Sequence, residues 1–166
     1  ARPQFGQNDQ EAELRGIDLV IVLDVSNSMT AEDVAPTRLA HAQEEIAELL
    51  EAMKGDRAGM VIFAAQPFVR SPLTSDLTAL SSLVRGVDNE RGLLDPGSDL
   101  GSAIDAGTEL LDRGTAKSRA MLVVSDGEDF GDSVTAAIAA ANADDVRIYT
   151  VGVGTPEGAP VLDSDT

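Results

Sequence analysis

The chain has 166 residues, 43% of them hydrophobic, which suits one domain with a sizeable core and argues against both disorder and a membrane-spanning protein. Twelve Lys and Arg against 29 Asp and Glu give a net charge of −17, a surface that repels nucleic acid and anionic lipid. Without cysteine, disulfides, thiolate metal sites and thiol nucleophiles are ruled out.

The acidity itself stays open between a solubility or high-salt adaptation and a means of attracting cationic partners. The longest apolar run, Leu19 to Leu23, is far short of the roughly 20 residues of a transmembrane helix. No signal peptide is visible. The chain begins at Ala1 rather than Met, so it reads as an excised piece with its flanks missing.

Asp18 to Leu23 is almost continuously aliphatic, the pattern of a parallel strand covered on both faces. Between Thr37 and Met53, the apolar residues Leu39, Ala42, Ile46, Leu49, Leu50 and Met53 recur at helical spacing. Ala58 to Ala64 reads as a second buried strand and Pro67 to Leu73 as a third. Only Ala65 and Gln66 separate them, too few for a crossover helix, so the third strand should run antiparallel. Its proline and arginine suit a sheet edge.

Leu77, Leu80, Leu83, Val84 and Val87 mark a second helix, and residues 88–98 read as a loop. Leu100, Ala103, Ile104, Gly107, Leu110 and Leu111 share one face of a third helix. Met121 to Val124 is a fourth strand running into "SDGEDFGD", Ser133 to Ala143 a fourth helix, and Arg147 to Val153 a fifth strand. Residues 1–16 form a flanking segment, 17–154 the domain, and 155–166 a polar, turn-rich tail. Strands alternating with helices predict an α/β fold: a doubly wound, Rossmann-like open sheet, mostly parallel, with one antiparallel edge strand and helices on both faces.

In such sheets ligands sit beyond the carboxyl ends of the strands, where strand order reverses. Strands one and four each run from aliphatic residues straight into an aspartate, Asp24 and Asp126. Asp24, Ser26 and Ser28 stand in D-x-S-x-S spacing, and alternate residues of an extended segment point the same way. Ser98, just before helix three, adds a hydroxyl if it is not merely a helix cap. Asp126 adds a second carboxylate if it is not an ordinary turn residue. All five are hard oxygen donors with two formal negative charges, a set suited to Mg²⁺ held partly through water, with Mn²⁺ or Ca²⁺ as substitutes.

The segments "DVSNS", "GSDLGSAI" and "VVSDGED", in this order, resemble the metal-ion-dependent adhesion site (MIDAS) of von Willebrand factor type A domains. That pattern is D-x-S-x-S, a threonine before a helix, and an aspartate after a strand. Asp24, Ser26, Ser28 and Asp126 match it directly, while Ser98 keeps the hydroxyl of the family's threonine and loses its methyl. Thr74 in "SPLTSD" is a poorer positional match. "RGIDLVIVLDVSNSM", "AEDVAPTRLAHAQ", "GDRAGMVIFAAQPFVRSPLTSD" and "IYTVGVGTPEGAP" are similar to bacterial Bat-type aerotolerance proteins (BatA and BatB).

The resemblance implies strand order 3-2-1-4-5-6, with the family's last strand and helix missing from this sequence. It implies a non-enzymatic, metal-dependent protein–protein interaction module in which an acidic residue of a partner completes the coordination. It further implies flanking helices anchored in a bacterial inner membrane, other Bat-type proteins as partners, and association with a MoxR-type AAA+ ATPase. The residues themselves do not fix the side of the membrane; the periplasmic side follows by likeness alone.

Two rival classes remain. A Mg²⁺-dependent phosphotransfer enzyme of the haloacid dehalogenase kind needs D-x-D after strand one, where Ser26 stands in place of the acid–base carboxylate. A serine hydrolase needs a G-x-S-x-G elbow and a histidine, and the only histidine, His41, falls on the outer side of helix one. "VGVGTPEG" lacks dinucleotide-binding spacing. "DGEDFGD" fails as a calcium loop because Phe130 and Ala137 occupy ligand positions, so Glu128, Asp129 and Asp132 read as a solvated acidic rim. The other rival is a structural interaction domain with no functional metal.

Overall fold

The computed structural model describes residues 16–87, 96–127 and 132–157. Five strands form one sheet in the order β3-β2-β1-β4-β5. They are β1 (Ile17–Asp24), β2 (Arg57–Phe63), β3 (Pro67–Thr74), β4 (Ser118–Ser125) and β5 (Val146–Gly152). All neighbours pair in parallel except β2 with β3, as the short connection of Ala64, Ala65 and Gln66 demands. Helices α1 (Arg38–Ala52) and α2 (Leu77–Arg85) cover one face, while α3 (Leu100–Asp112) and α4 (Asp132–Ala143) cover the other.

The aliphatic run of β1 explains this layering. Leu19, Ile21 and Leu23 point into the core beneath α1 and α2, and Val20 and Val22 into the core beneath α3 and α4. Every residue of β1 after Ile17 is buried, so the strand has no solvated face and must lie in the middle of the sheet. By contrast, β3 has only exposed and half-buried residues and lies at the edge, with its prolines.

Helix α1 starts where Thr37 accepts a hydrogen bond from Ala40 N at 3.1 Å, an N-cap that frees the preceding loop to turn back over the sheet. Gln43 donates to Val84 O at 2.8 Å, and Arg85 reaches both Glu44 and Glu51, so α2 is fastened to α1 by polar bonds as well as by leucines.

Most element boundaries differ from periodicity by a single residue, and two by more. Helix α2 stops at Arg85, capped by Gly86, although Val87 is still buried. Strand β4 begins at Ser118, three residues before its aliphatic stretch, because Ser118 and Arg119 pair with Ile17 and Asp18 of β1. Backbone pairing, invisible to hydropathy, sets that start. The expected loop falls partly on residues 88–95, and the acidic rim residues Glu128 and Asp129 and most of the tail also lie outside the described residues.

Candidate metal site

The central strands β1 and β4 end side by side. Leu23 pairs with Val124, so Asp24 and Ser125 occupy the same level at the carboxyl rim, with Asp126 one residue beyond. Adjacent strands lie roughly 4.8 Å apart. The two aspartates therefore share one crevice at the switch point, between β1 leading to α1 and β4 leading to α4.

Asp24 is buried, with 1% of its surface exposed. Its Oδ1 accepts from Ser26 N at 2.9 Å and its Oδ2 from the Ser125 hydroxyl at 2.7 Å. Burial pushes its carboxyl above the usual range. Hydrogen bonds from Ser26 and Ser125 pull the other way, and the nearby charge of Asp126 adds to the rise. Asp24 is thus a buried carboxyl answered by the Ser125 hydroxyl and the Ser26 backbone N–H.

Beyond Asp24 the chain enters a short 3₁₀ turn, Asn27–Thr30, which buries Ser28 and Met29. The turn brings the Ser26 and Ser28 hydroxyls to 3.1 Å from each other, both on buried residues. Neighbouring ligands of an octahedral Mg²⁺ are about 3 Å apart, since each metal–oxygen bond is about 2.1 Å. The pair therefore has the spacing of one edge of such an octahedron.

Ser98 lies half-buried in the segment that enters α3. Asp99 N donates to Ala64 O at 2.7 Å, and this anchors the segment to the chain leaving β2. Gly97, with φ of +135°, makes the bend there, and a Cβ at that position would meet the Ala65 Cβ at 3.2 Å. The cap of α3 is Asp99, whose carboxylate accepts from Ser102 N at 3.0 Å and from its hydroxyl at 2.8 Å. The capping alternative for Ser98 is thereby answered: Asp99 performs that task.

Asp126 is no exposed turn residue, for its side chain is 1% exposed and it accepts from Arg38 Nη1 at 3.1 Å. Arg38, the first residue of α1, also forms a forked pair with Asp33, Nε to Oδ1 at 2.8 Å and Nη2 to Oδ2 at 2.9 Å. The Arg38 hydrogen bonds hold the Asp33 carboxyl well below the usual carboxylate range, with help from Thr155. Thr155 donates to Asp33 Oδ2 through its N–H at 2.9 Å and its hydroxyl at 3.1 Å.

Sequence reasoning missed Ser125, Arg38, Asp33 and Thr155. One signal was available: a cation in the first turn of a helix opposes the positive end of the helix dipole. Arg38 directly after the cap Thr37, with Asp33 shortly before, marks an arginine kept there by carboxylates. His41 is exposed on α1, with Nε2 at 4.0 Å from Glu45, and takes no part in the crevice.

The donor set is chemically consistent with a hard cation. Asp24, Ser26, Ser28 and Asp126 stand at the rim of β1 and β4 and Ser98 in the segment entering α3, all hard oxygen donors, and no three His, Cys, Asp or Glu side chains cluster among the described residues.

A sequence model of the von Willebrand factor type A domain matches residues 19–128, from β1 through the end of β4 and across all five candidate ligands. The chain belongs to the von Willebrand factor type A family. Among solved structures, an aerotolerance-related membrane protein from Bacteroides fragilis superposes with a TM-score of 0.84 at 32% identity, covering 91% of this chain and 74% of that one. BatB from Bacteroides thetaiotaomicron gives 0.83 at 34% identity, covering 91% and 73%.

A protein of Borreliella burgdorferi is 31% identical over 145 residues, which are 86% of this chain and 42% of the relative. The chain thus spans less than half the length of that curated relative. This von Willebrand factor A domain is similar to Bat-type aerotolerance proteins, and its family points to a protein-interaction module. The Bacteroides fragilis relative is a membrane protein; no helix among the described residues here is long and apolar enough to cross a membrane.

Proposed function

We propose that this domain is a non-enzymatic, Mg²⁺-dependent protein-binding module. In it, Ser26, Ser28 and Ser98 supply hydroxyl ligands, and Asp24 and Asp126 act directly or through water. The observation that carries the reading is the buried Asp24 carboxylate beside two hydroxyls 3.1 Å apart. A desolvated anion with neutral neighbours is costly unless a cation completes the site. Bound there, Mg²⁺ would offer a Lewis-acidic position to a carboxylate from another protein.

The chain's own residues do the rest. The two serine hydroxyls add no charge, so the ion keeps attraction for an incoming anion. Ser125 and the Ser26 N–H orient Asp24, and the walls of β1 and β4 set the crevice width. The overall charge of −17 opposes an acidic partner, so attachment depends on the ion and responds to salt. In the membrane setting of Bat-type relatives, the partner that offers the carboxylate is a second Bat-type protein on the same side of the membrane, with a MoxR-type AAA+ ATPase associated with the assembly. The domain is held at a bacterial inner membrane, on its periplasmic side, by flanking segments.

Thermal melting tests the metal. At 10 mM Mg²⁺ and a millimolar Kd, the melting temperature should rise by about 4 °C, and Asp24→Ala should abolish the rise. Identical curves with Mg²⁺ and with chelator would favour a purely structural domain. Phosphatase turnover dependent on Asp24 would instead make this an enzyme.

A further inference from the structure

We propose that Arg38 is the positioning residue of the metal aspartate Asp126, and that Asp33 is the counter-charge that lets an arginine stand there without repelling the ion. The inference rests on the metal-binding reading of the crevice given above.

The geometry divides the guanidinium in two. Its Nε and Nη2 edge is taken by both oxygens of Asp33, at 2.8 and 2.9 Å, and its Nη1 reaches Asp126 Oδ2 at 3.1 Å. All three side chains are buried, with exposures of 8% for Arg38, 5% for Asp33 and 1% for Asp126. Only a planar fork can serve two carboxylates in this way; an ammonium on a flexible stem cannot.

Charge balance gives the arrangement its purpose. An arginine bonded to Asp126 alone would cancel half the negative charge of the Asp24–Asp126 pair and compete with the ion. Asp33 neutralises Arg38 instead, so the crevice keeps its two negative charges. Asp126 also keeps a fixed orientation before any cation arrives. The price of a buried cation at a helix N-terminus makes sense only if that orientation matters.

The clamp is itself fastened at the same rim by the chain that leaves the edge strand β5. Thr155 N–H and hydroxyl bind Asp33, and a Cβ on Gly154 would meet the Arg38 guanidinium carbon at 3.2 Å. The chain leaving β5 thus closes over the pair. Asp33 and Thr155, 122 positions apart, thus hold the guanidinium that in turn holds Asp126.

Titration of the whole chain with Mn²⁺ alone, followed by electron paramagnetic resonance and by calorimetry, tests this. Melting curves in chelator are recorded beside it. Asp33→Asn should weaken Mn²⁺ binding by about tenfold, because it exposes the ion to an unbalanced guanidinium. Arg38→Lys, which keeps the charge and loses the fork, should also weaken it by about tenfold. Thr155→Val, a mild change at the clamp's edge that folds even if the others do not, should cost about twofold to threefold.

Wild-type Mn²⁺ affinity in all three variants, even with lower melting temperatures in chelator, would overturn the proposal and reduce the clamp to a structural ion pair. If the wild-type chain takes up no Mn²⁺, the metal reading itself falls, and this inference falls with it.

Discussion

Strand β1 carries a buried aspartate near each end, and the two have opposite surroundings. Asp18, at the amino rim, accepts from Arg57 Nε on Oδ1 at 2.8 Å, and from Arg57 Nη2 at 2.8 Å and Ala116 N at 3.1 Å on Oδ2. Arg57 also reaches the Thr115 hydroxyl at 3.0 Å. A cleft of about 570 Å³ opens there, larger than the metal crevice needs, yet its buried carboxylate is already matched by a forked guanidinium. Asp24, at the carboxyl rim, is equally buried but is met by a serine hydroxyl and a backbone N–H. The arginine at that rim sits on the neighbouring Asp126 and is balanced by Asp33. The same residue type on the same strand is thus a closed structural pair at one end and an open invitation to a cation at the other. What separates the two ends is the partner: a forked guanidinium for Asp18, a serine hydroxyl and a backbone N–H for Asp24.

The largest effect should come from breaking the closed end. Arg57→Met leaves Asp18 buried without its cation and should cost about 2–3 kcal/mol. That is below the usual loss for a fully buried pair, because Arg57 is about a third exposed. The melting temperature should fall by roughly 6–10 °C while the Mg²⁺-induced rise is unchanged. A Mg²⁺ response lost along with stability would mean that the two rims are not independent.

A pH series gives a second contrast of sign. Asp33 has its folded-state pKa depressed, chiefly by the Arg38 hydrogen bonds, so it contributes stability above its unfolded value of 3.8 that is lost as pH falls below it. Asp24 is raised, chiefly by burial, so its ionisation removes stability as pH rises through the carboxylate range. Melting in chelator should therefore show a flatter acid limb below pH 4 for Asp33→Asn. Mg²⁺ should stabilise the wild-type chain more at pH 7 than at pH 4. A Mg²⁺ effect independent of pH would separate Asp24 from the ion.

The smallest effect sharpens one ligand. Ser98→Thr restores the methyl that the family's pattern carries, and a β-branched side chain has fewer rotamers to lose on coordination. Calorimetry with Mg²⁺ should show affinity rising about twofold to threefold. An unchanged or weaker affinity would remove the Ser98 hydroxyl from the ligand set.

The fold was legible because β1, β2 and β4 are aliphatic runs and the helices repeat their leucines at helical spacing. The short Ala65–Gln66 link even gave the antiparallel edge. The crevice was legible as far as its local spellings go: Asp24, Ser26 and Ser28 in one motif, and Asp126 at the end of another strand. What stayed hidden was tertiary. Asp33, Arg38 and Thr155 share a clamp although Asp33 and Thr155 are 122 positions apart. No periodicity records that. Ser125 reads as the last residue of a strand until β1 and β4 align and bring its hydroxyl onto Asp24. Ser98 is released from capping only by the fold, in which Asp99 holds the N-terminus of α3.

Crystals soaked in Mn²⁺ and measured at its absorption edge test the central claim most directly. One anomalous peak should lie within about 2.5 Å of the Ser26 and Ser28 hydroxyl oxygens, between Asp24 and Asp126 and open to solvent on one side. A well-diffracting soaked crystal with no peak in that crevice, or with its peak elsewhere, would contradict it.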